Sequence, residues 1–406
     1  MVNRRGFLTA GALATPLLAT ASGLEARAAQ PVLPGADQLA AQGWRRLAGR
    51  KVGVLSNPTG VLANLDHIVD SMVAAGVRPV AAFGPEHGFR GSAQAGGSEG
   101  DYADPRTGIP VYDAYGATVD RLAGMFAKAG VDTIVFDIAD VGARFYTYIW
   151  SMYTAMAAAA RTHTSFVVLD RPNPVGGNAS GPMLDPAFAS GVGLKPIVQQ
   201  HGMTVGELAR FFAGEFALDV DLDVIRVRGW RRDMFFADTG LKWTPPSPNM
   251  PTPDTALVYP GLGMFEGTVF SEGRGTTRPF EIVGAPGVDW RWRDALDVPG
   301  AEFREAYFVP TFGKFVNQTC GGAQLTVTDP RIFDPVSAAV TMFVTAKRLY
   351  PGVFGWRPDL AIDKLSGSAR LRTMIDAGAD VPEIVGSWQA GLAGFVARRR
   401  PYLLYW

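Results

Sequence analysis

The chain has 406 residues, of which 47% are hydrophobic and 19% are charged. This composition supports a large buried core and excludes a disordered or acidic solvating protein. The 38 basic and 38 acidic side chains balance, so no basic groove for nucleic acid is indicated and no nucleic-acid partner is expected. The single cysteine, Cys320, excludes an intrachain disulfide and a zinc site built on several cysteines.

Residues 1–29 have the pattern of an export signal. Arg4 and Arg5 precede a short apolar stretch, as in twin-arginine signals, and Ala26 to Ala28 offer small residues for cleavage. The stretch is too short to span a bilayer, and no later segment approaches the length of a membrane helix. We therefore expect export by the twin-arginine route to the periplasm or exterior, without stable membrane insertion.

The first half of the chain alternates apolar strands with helical segments. Strands are predicted at 51–56, 80–83, 133–138, 166–169 and 223–227, and helices at 66–75, 118–129 and 148–162. Thr204 and Glu207 have the spacing of a capping box at the start of a further helix. Continuous apolar strands between helices predict an α/β fold with a parallel sheet covered on both faces.

The second half changes character at a proline-rich run. Residues 244–253 contain five prolines, which is typical of a linker or of a rigid wall of a cleft. Asn249 lies in this run and is a candidate substrate contact. A glycine-rich segment (261–287), strands at 306–309 and 323–327, and helices at 335–349 and 381–398 follow. These features place a domain boundary near 240/241, between a 30–240 domain and a 241–406 domain.

Polar side chains follow four consecutive predicted strands. Because ligands of open parallel sheets bind outside the carboxyl ends of the strands, these side chains predict a site at that edge. The alternative is that buried carboxylates there only hold the loops together, with Asp137 paired to Arg144 or Arg171. The residues in question are Asn57, Glu86, His87, Asp137, Asp140, Arg144, Tyr146, Tyr148, Asp170, Arg171 and Asn173.

Glu86 is the strongest single acid of this set. Gly84, Pro85 and Gly88 surround it and predict a tight loop, which suits a group that must be held in place to transfer a proton. Asp140 follows Asp137 by three residues, and paired carboxylates whose pKa values are pushed apart also suit acid–base chemistry.

A second polar patch lies within the glycine-rich segment. Glu266, Glu272, Arg274 and Arg278 stand among glycines, which let the backbone approach a ligand closely. Arginine in such a place suits a bidentate carboxylate or phosphate. The alternative is a solvated hairpin with incidental charges.

Several other motifs do not have the context that their chemistry needs. The string Gly96–Gly100 matches a nucleophile elbow around Ser98, but no strand precedes it and no helix follows it. A dinucleotide fingerprint is absent, and the four histidines are widely separated without an H-E-x-x-H pair. We therefore expect no metal and no cofactor.

Six ordered motifs resemble those of the NamZ family of exo-β-N-acetylmuramidases, formerly a domain of unknown function. The resemblance runs from about Arg50 to the C-terminus. It implies a Rossmann-like N-terminal domain, a smaller C-terminal α/β domain and a cleft between them. The motifs are Ser56–Gly60, Gly84–Gly91, Phe136–Tyr148, Leu169–Pro174, Phe265–Thr268 and Ser271–Thr276.

This resemblance implies an enzyme that removes terminal β-linked N-acetylmuramic acid from the non-reducing ends of peptidoglycan fragments. Glu86 matches the family's proposed catalytic glutamate, and it would protonate the leaving oxygen. Asp140, Glu266 and Glu272 are candidates for the second group, which the 2-acetamido group of the sugar could also supply. Arg274 or Arg144 would bind the lactyl carboxylate. Further candidate substrate contacts are Asn57, His87, Arg90, Asp137, Tyr146, Tyr148 and Asn249.

Two positions depart from the family pattern. Ala139 stands where an amide is expected, and Val269 where an asparagine is expected. Each change removes a potential hydrogen bond to a sugar.

Two other functions compete with this one. A non-catalytic periplasmic binding protein for muropeptides would share the export signal and the cleft but would need no acid. A hydrolase of an ester or amide would need Ser98 as its nucleophile.

Overall fold

A mainly parallel seven-stranded β-sheet lies at the centre of residues 31–406, the part of the chain that this computed structural model describes. Its strand order is β3-β4-β2-β1-β5-β6-β9, and the β3–β4 pair is antiparallel. Strands β7 and β8 form a separate pair, and β10, β12 and β11 form a small antiparallel sheet. The strands are β1 Val52–Ser56, β2 Ala81–Gly84, β3 Tyr102–Ala103, β4 Pro110–Asp113, β5 Thr133–Asp137, β6 Ser165–Leu169, β7 Ser180–Met183, β8 Val198–Gln200, β9 Leu222–Ile225, β10 Ile282–Ala285, β11 Ala301–Phe308 and β12 Cys320–Val327.

Helices cover both faces of the central sheet because successive side chains of each strand point in opposite directions. Leu55, Phe83 and Phe136 pack with helices α3 to α5, whereas Val54 and Ala82 pack with α1 and α2. The helices are α1 Gly35–Ala40, α2 Ile68–Ala74, α3 Val119–Ala129, α4 Tyr148–Thr162, α5 Val205–Glu215, α6 Pro253–Leu262, α7 Trp290–Asp294, α8 Pro335–Leu349, α9 Ala361–Ser366, α10 Arg370–Asp376, α11 Val381–Gly386 and α12 Gln389–Arg399. The predicted α/β class is thus confirmed.

Most predicted elements of the first half occur within a few residues of their predicted bounds. The predicted Thr204–Glu207 capping box is present at the start of α5. Strands β3, β4, β7 and β8 were not predicted; each has only two to four residues, and all except β8 are partly exposed. The predicted helix at 381–398 was wrong in one respect, because it consists of two helices separated by Ser387 and Trp388.

The proline-rich run ends in a helix that the sequence analysis did not expect. Thr252 caps α6, and Pro253 occupies the first helical turn, where its missing N–H has no helical acceptor. Pro260 lies in the last turn, close to the end of the helix. Residues 247, 249 and 250 of the preceding run line a cleft, which agrees with the predicted rigid wall.

Residues 31–406 form one compact unit, and residues 1–30 lie outside the described part of the chain. The predicted twin-arginine signal at 1–29 falls there. Within residues 31–406, no helix combines the length and the apolar composition needed to cross a membrane.

The C-terminal segment is fastened to the carboxyl end of β6 through Asp170. The carboxylate of Asp170 accepts hydrogen bonds from the Gly206 amide at 2.7 Å, the Thr204 hydroxyl at 2.9 Å and the Tyr405 hydroxyl. The Tyr405 oxygen also accepts the Val227 amide at 2.8 Å. One buried hydroxyl therefore ties the chain terminus to the sheet edge.

Replacing Tyr405 with Phe should destabilise the fold by about 1–3 kcal/mol, because the Val227 amide loses its acceptor in a buried place. Urea unfolding of the mature chain measures this change. Trp406→Ala is the matched control, since that neighbouring side chain is 73% exposed. An unchanged unfolding midpoint in Tyr405→Phe would contradict this role.

Candidate active site

Glu86 lies in a strained turn directly after β2. His87 and Gly88 have positive φ angles of 69° and 89°, and the Gly88 amide donates to the Pro85 carbonyl at 2.9 Å. The Glu86 carboxylate accepts the Gly96 amide at 2.8 Å and the Thr147 hydroxyl at 3.1 Å. The side chain is partly exposed. The structure therefore places Glu86 in the tight turn that the sequence predicts, with its carboxylate held by two hydrogen bonds.

Glu99 holds the remainder of this loop in place. Its carboxylate accepts the backbone amides of Phe89 and Ser92, each at 2.9 Å, and the Tyr102 hydroxyl at 2.8 Å. In the sequence, this stretch stood out only as a string that matches a nucleophile elbow without its flanking strand and helix. Ser98 donates to the Asp113 carboxylate at 2.7 Å, and no histidine is among its hydrogen-bond partners in the described chain.

Glu86 lines a cleft of 230 Å³, and residues from both halves of the chain contribute to this cleft. Tyr146 and Tyr148 stand edge to face beside it, and Tyr146 packs in the same way on Tyr259 of α6. Of the predicted site residues, Glu86, His87, Tyr146, Tyr148, Asn249, Glu266 and Arg274 come together here. The lining residues that the sequence analysis missed include Thr147, Val192, Ser247 and Tyr259.

Glu266 is the second carboxylate of this cleft, and Arg274 orients it. The Arg274 Nε donates to Glu266 Oε1 at 3.0 Å and lies 3.4 Å from a Glu272 oxygen. Burial raises the pKa of Glu266, while the Arg274 guanidinium acts in the opposite direction. The cleft thus contains a carboxylate with an elevated affinity for protons, next to an arginine that lines the same cavity.

A side pocket of 460 Å³ adjoins the cleft and shares Val192, Glu266 and Arg274 with it. Lys314 fixes one wall, because its ammonium donates to Glu272 and to the Phe270 carbonyl, each at 2.8 Å. Four cationic side chains and two carboxylates line this pocket. The cationic side chains are Arg274, Lys314, Arg357 and Lys364, and the carboxylates are Glu266 and Glu272.

Asp137 and Asp140 do not line the cleft. Asp137 is fully buried in a bidentate ion pair with Arg171, whose Nη2 lies 2.8 Å from a carboxylate oxygen. Asp140 lies 3.0 Å from the buried His201 ring and accepts the Gly142 amide at 2.8 Å. Both carboxylates therefore hold the strand-end loops, which is one of the two roles predicted for Asp137.

Arg144, Arg90 and Asn57 also have partners outside the cleft. Arg144 is fully buried and donates to the carbonyls of residues 182, 197 and 365, so the structure places it in the core rather than against a substrate. Arg90 forms ion pairs with Asp70 and Asp104. The Asn57 side chain accepts the Thr59 amide at 2.9 Å. Arg144 is therefore no longer a candidate for the lactyl carboxylate.

The two departures from the family pattern lie outside the Glu86 cleft. Ala139 lines a separate cavity of 60 Å³ near Thr59 and Arg171. Val269 donates its amide to the Gly355 carbonyl. In the described residues, no group of three or more His, Cys, Asp or Glu side chains is arranged to hold a metal ion.

The cleft contains two carboxylates, Glu86 and Glu266, beside aromatic side chains. A pair of carboxyl groups in one cavity is typical of a glycoside hydrolase. The chain belongs to the exo-beta-N-acetylmuramidase NamZ family, since the N-terminal family model matches residues 52–254 and the C-terminal model matches residues 257–405. The resemblance seen in the six motifs is thereby confirmed. The two models meet within α6, and residues from both line the cleft.

Relatives cover nearly the whole chain. It is 45% identical over 380 residues to peptidoglycan beta-N-acetylmuramidase NamZ of Bacillus subtilis strain 168, covering 92% of this chain and 91% of that protein. A crystal structure of a DUF1343 family protein from Bacteroides fragilis is 32% identical and superposes with a TM-score of 0.85, covering 93% of this chain and 99% of the other. A second DUF1343 protein from the same organism is 31% identical, with a TM-score of 0.72 and coverage of 92% and 99%.

Proposed function

We propose that this protein removes terminal β-linked N-acetylmuramic acid from the non-reducing ends of peptidoglycan fragments, with Glu86 as the general acid. Membership in the family makes the chain a glycosidase. The observation that carries the residue assignment is the geometry of Glu86, which combines a fixed backbone, neutral hydrogen-bond donors and partial exposure in the cleft. The name of the Bacillus relative supports the substrate class.

Glu86 would donate its proton to the glycosidic oxygen as the bond to the leaving sugar breaks. The Gly96 amide and the Thr147 hydroxyl orient the carboxyl group. Little rotational entropy would therefore be lost when the transition state forms. Tyr146, Tyr148 and Tyr259 line the same cleft and would surround the bound sugar.

Glu266 is the carboxylate best placed to be the second group. It shares the cleft with Glu86, whereas Asp140 pairs with His201 and Glu272 pairs with Lys314. It would act as base or nucleophile, or orient the 2-acetamido group of the sugar if that group attacks. Arg274 holds Glu266 through Nε and Nη2, and its Nη1 makes no hydrogen bond with the described residues.

Glu86→Gln should lower kcat by about two to four orders of magnitude on a muramyl disaccharide, because the amide cannot donate the proton. The loss should be smaller on para-nitrophenyl N-acetylmuramide, since nitrophenolate leaves with little protonation. Initial rates on both substrates measure this difference, and urea unfolding checks the fold. Glu383→Gln, an exposed carboxylate on α11, is the matched control. Full activity in Glu86→Gln would refute the assignment.

Arg274 is the proposed partner of the lactyl carboxylate that distinguishes muramic acid from glucosamine. It lines the cleft, and the guanidinium presents a planar set of donors that suits a carboxylate. The other predicted candidate, Arg144, is buried in the core. An uncommitted Nη1 beside the sugar-binding cavity is what a bound carboxylate would need.

Arg274→Lys should reduce the preference for the muramide over the matching N-acetylglucosaminide about tenfold, because an ammonium group cannot hold Glu266 and present a separate N–H group to the lactyl carboxylate as the guanidinium does. The measured quantity is the ratio of kcat/KM on the two para-nitrophenyl glycosides. Arg278→Lys is the control, since Arg278 pairs with Glu281 and does not line the cleft. A preserved ratio in Arg274→Lys would remove Arg274 from lactyl recognition.

We also propose that residues 1–29 direct export by the twin-arginine route. Changing Arg4 and Arg5 together to Lys should keep the protein in the cytoplasm, because the receptor reads the arginine pair. Fractionation and immunoblotting of the tagged full chain measure its location. Arg27→Lys is the control, since it makes the same substitution in the signal segment but outside the arginine pair. Unchanged export in the double variant would contradict this route.

A further inference from the structure

Exposed apolar side chains are concentrated in one short segment beside the side pocket. Tyr307, Val309, Phe312 and Val316 are 59%, 49%, 47% and 41% exposed. They make up four of the eleven large hydrophobic side chains that are exposed in residues 31–406. Single exposed apolar residues are ordinary, but a concentrated patch of them marks a binding surface.

The segment 309–317, which we name the rim loop, is closed and anchored. The Asn317 amide donates to the Pro310 carbonyl at 3.0 Å, which joins the two ends of the loop. Lys314 points inward, where its ammonium donates to the carbonyls of Phe265 and Phe270 and to Glu272. The apolar side chains of the rim loop are therefore carried on a fixed backbone.

The rim loop packs directly on the turn that carries Arg274. The Thr311 amide donates to the Gly275 carbonyl at 3.0 Å, and a Cβ atom on Gly275 would lie 2.6 Å from the Phe312 backbone nitrogen. Gly313 and Lys314 line the side pocket. Another segment that lines this pocket, 357–361, carries Leu360, which is also exposed. The rim loop thus borders the side pocket through Gly313 and Lys314, and that pocket shares Glu266 and Arg274 with the cleft.

The side pocket also carries a cation that is free to meet an anionic ligand. Lys364 lines the pocket, is exposed and forms no ion pair with the described residues. Arg357 lies in the same lining and pairs with Asp359. The pocket therefore offers positive charge next to apolar surface, a combination that suits a ligand with both carboxylates and apolar faces.

We propose that the side pocket and the rim loop bind the glycan beyond the first sugar that follows the cleaved bond. This inference rests on the proposed function, in which the terminal sugar occupies the Glu86 cleft and the rest of the chain leads away from it. Amino-sugar rings present apolar C–H faces that pack on Phe312 and Tyr307. The next muramic acid carries a carboxylate, which Lys364 meets in the side pocket.

The test compares peptide-free glycans of two and four sugars, each beginning with muramic acid at the non-reducing end. The tetrasaccharide reaches the rim loop and the disaccharide does not. Phe312→Ala and Lys364→Met should each reduce the ratio of kcat/KM on the tetrasaccharide to that on the disaccharide, by about five- to tenfold. The controls are Ile332→Ala, which is 61% exposed and lies next to Gly300 at the opposite end of β11, and the exposed Lys51→Met.

Binding to Glu86→Gln protein, measured by calorimetry, separates this inference from the proposed function. A weaker tetrasaccharide affinity when Phe312→Ala is added supports the docking site, even if the wild-type protein cleaves neither glycan. Cleavage of both glycans with ratios that neither variant changes would overturn the inference and leave the proposed function intact. Equal affinity for the two glycans in Glu86→Gln protein would also overturn it.

Discussion

The burial of the central sheet on both faces determines where polar chemistry can occur. The strand interiors are apolar, so charged groups collect at the carboxyl ends, where each must find a partner before it can be buried. Asp137 is neutralised by Arg171, and Asp140 lies against His201. Glu86 differs from both, because neutral donors hold it and the cleft keeps it partly exposed. This difference leaves Glu86 accessible from the cleft, whereas Asp137 and Asp140 hold the loops.

The sequence predicted the sheet edge well because strand periodicity and turn composition are local signals. The segment Gly84–Gly88 encodes its own turn, with glycine at one of two adjacent positions of positive φ, and so the tight turn around Glu86 could be predicted from its neighbours. The capping box of α5 is equally local. Helix α8 was likewise predicted with its observed bounds, since its apolar face and its cap lie within one segment.

The roles of the individual carboxylates could not be predicted in the same way, because their partners are distant in the sequence. Asp140 meets His201 across 61 positions, and Lys314 meets Glu272 across 42. Arg144 has the motif position of a substrate ligand, yet the chain folds so that three carbonyl groups surround it. Composition and spacing describe which groups reach the sheet edge, whereas tertiary packing decides which of them remain available.

Arg274 connects substrate recognition with the charge of the second carboxylate. Its guanidinium opposes the rise that burial produces in the pKa of Glu266. A carboxylate bound at Nη1 would share that positive charge and so weaken its effect on Glu266, allowing the pKa of Glu266 to rise further. A sugar without the carboxylate would leave the Arg274 charge wholly with Glu266. If Arg274 binds the lactyl carboxylate as proposed, the contact that selects the substrate would also alter the charge next to Glu266.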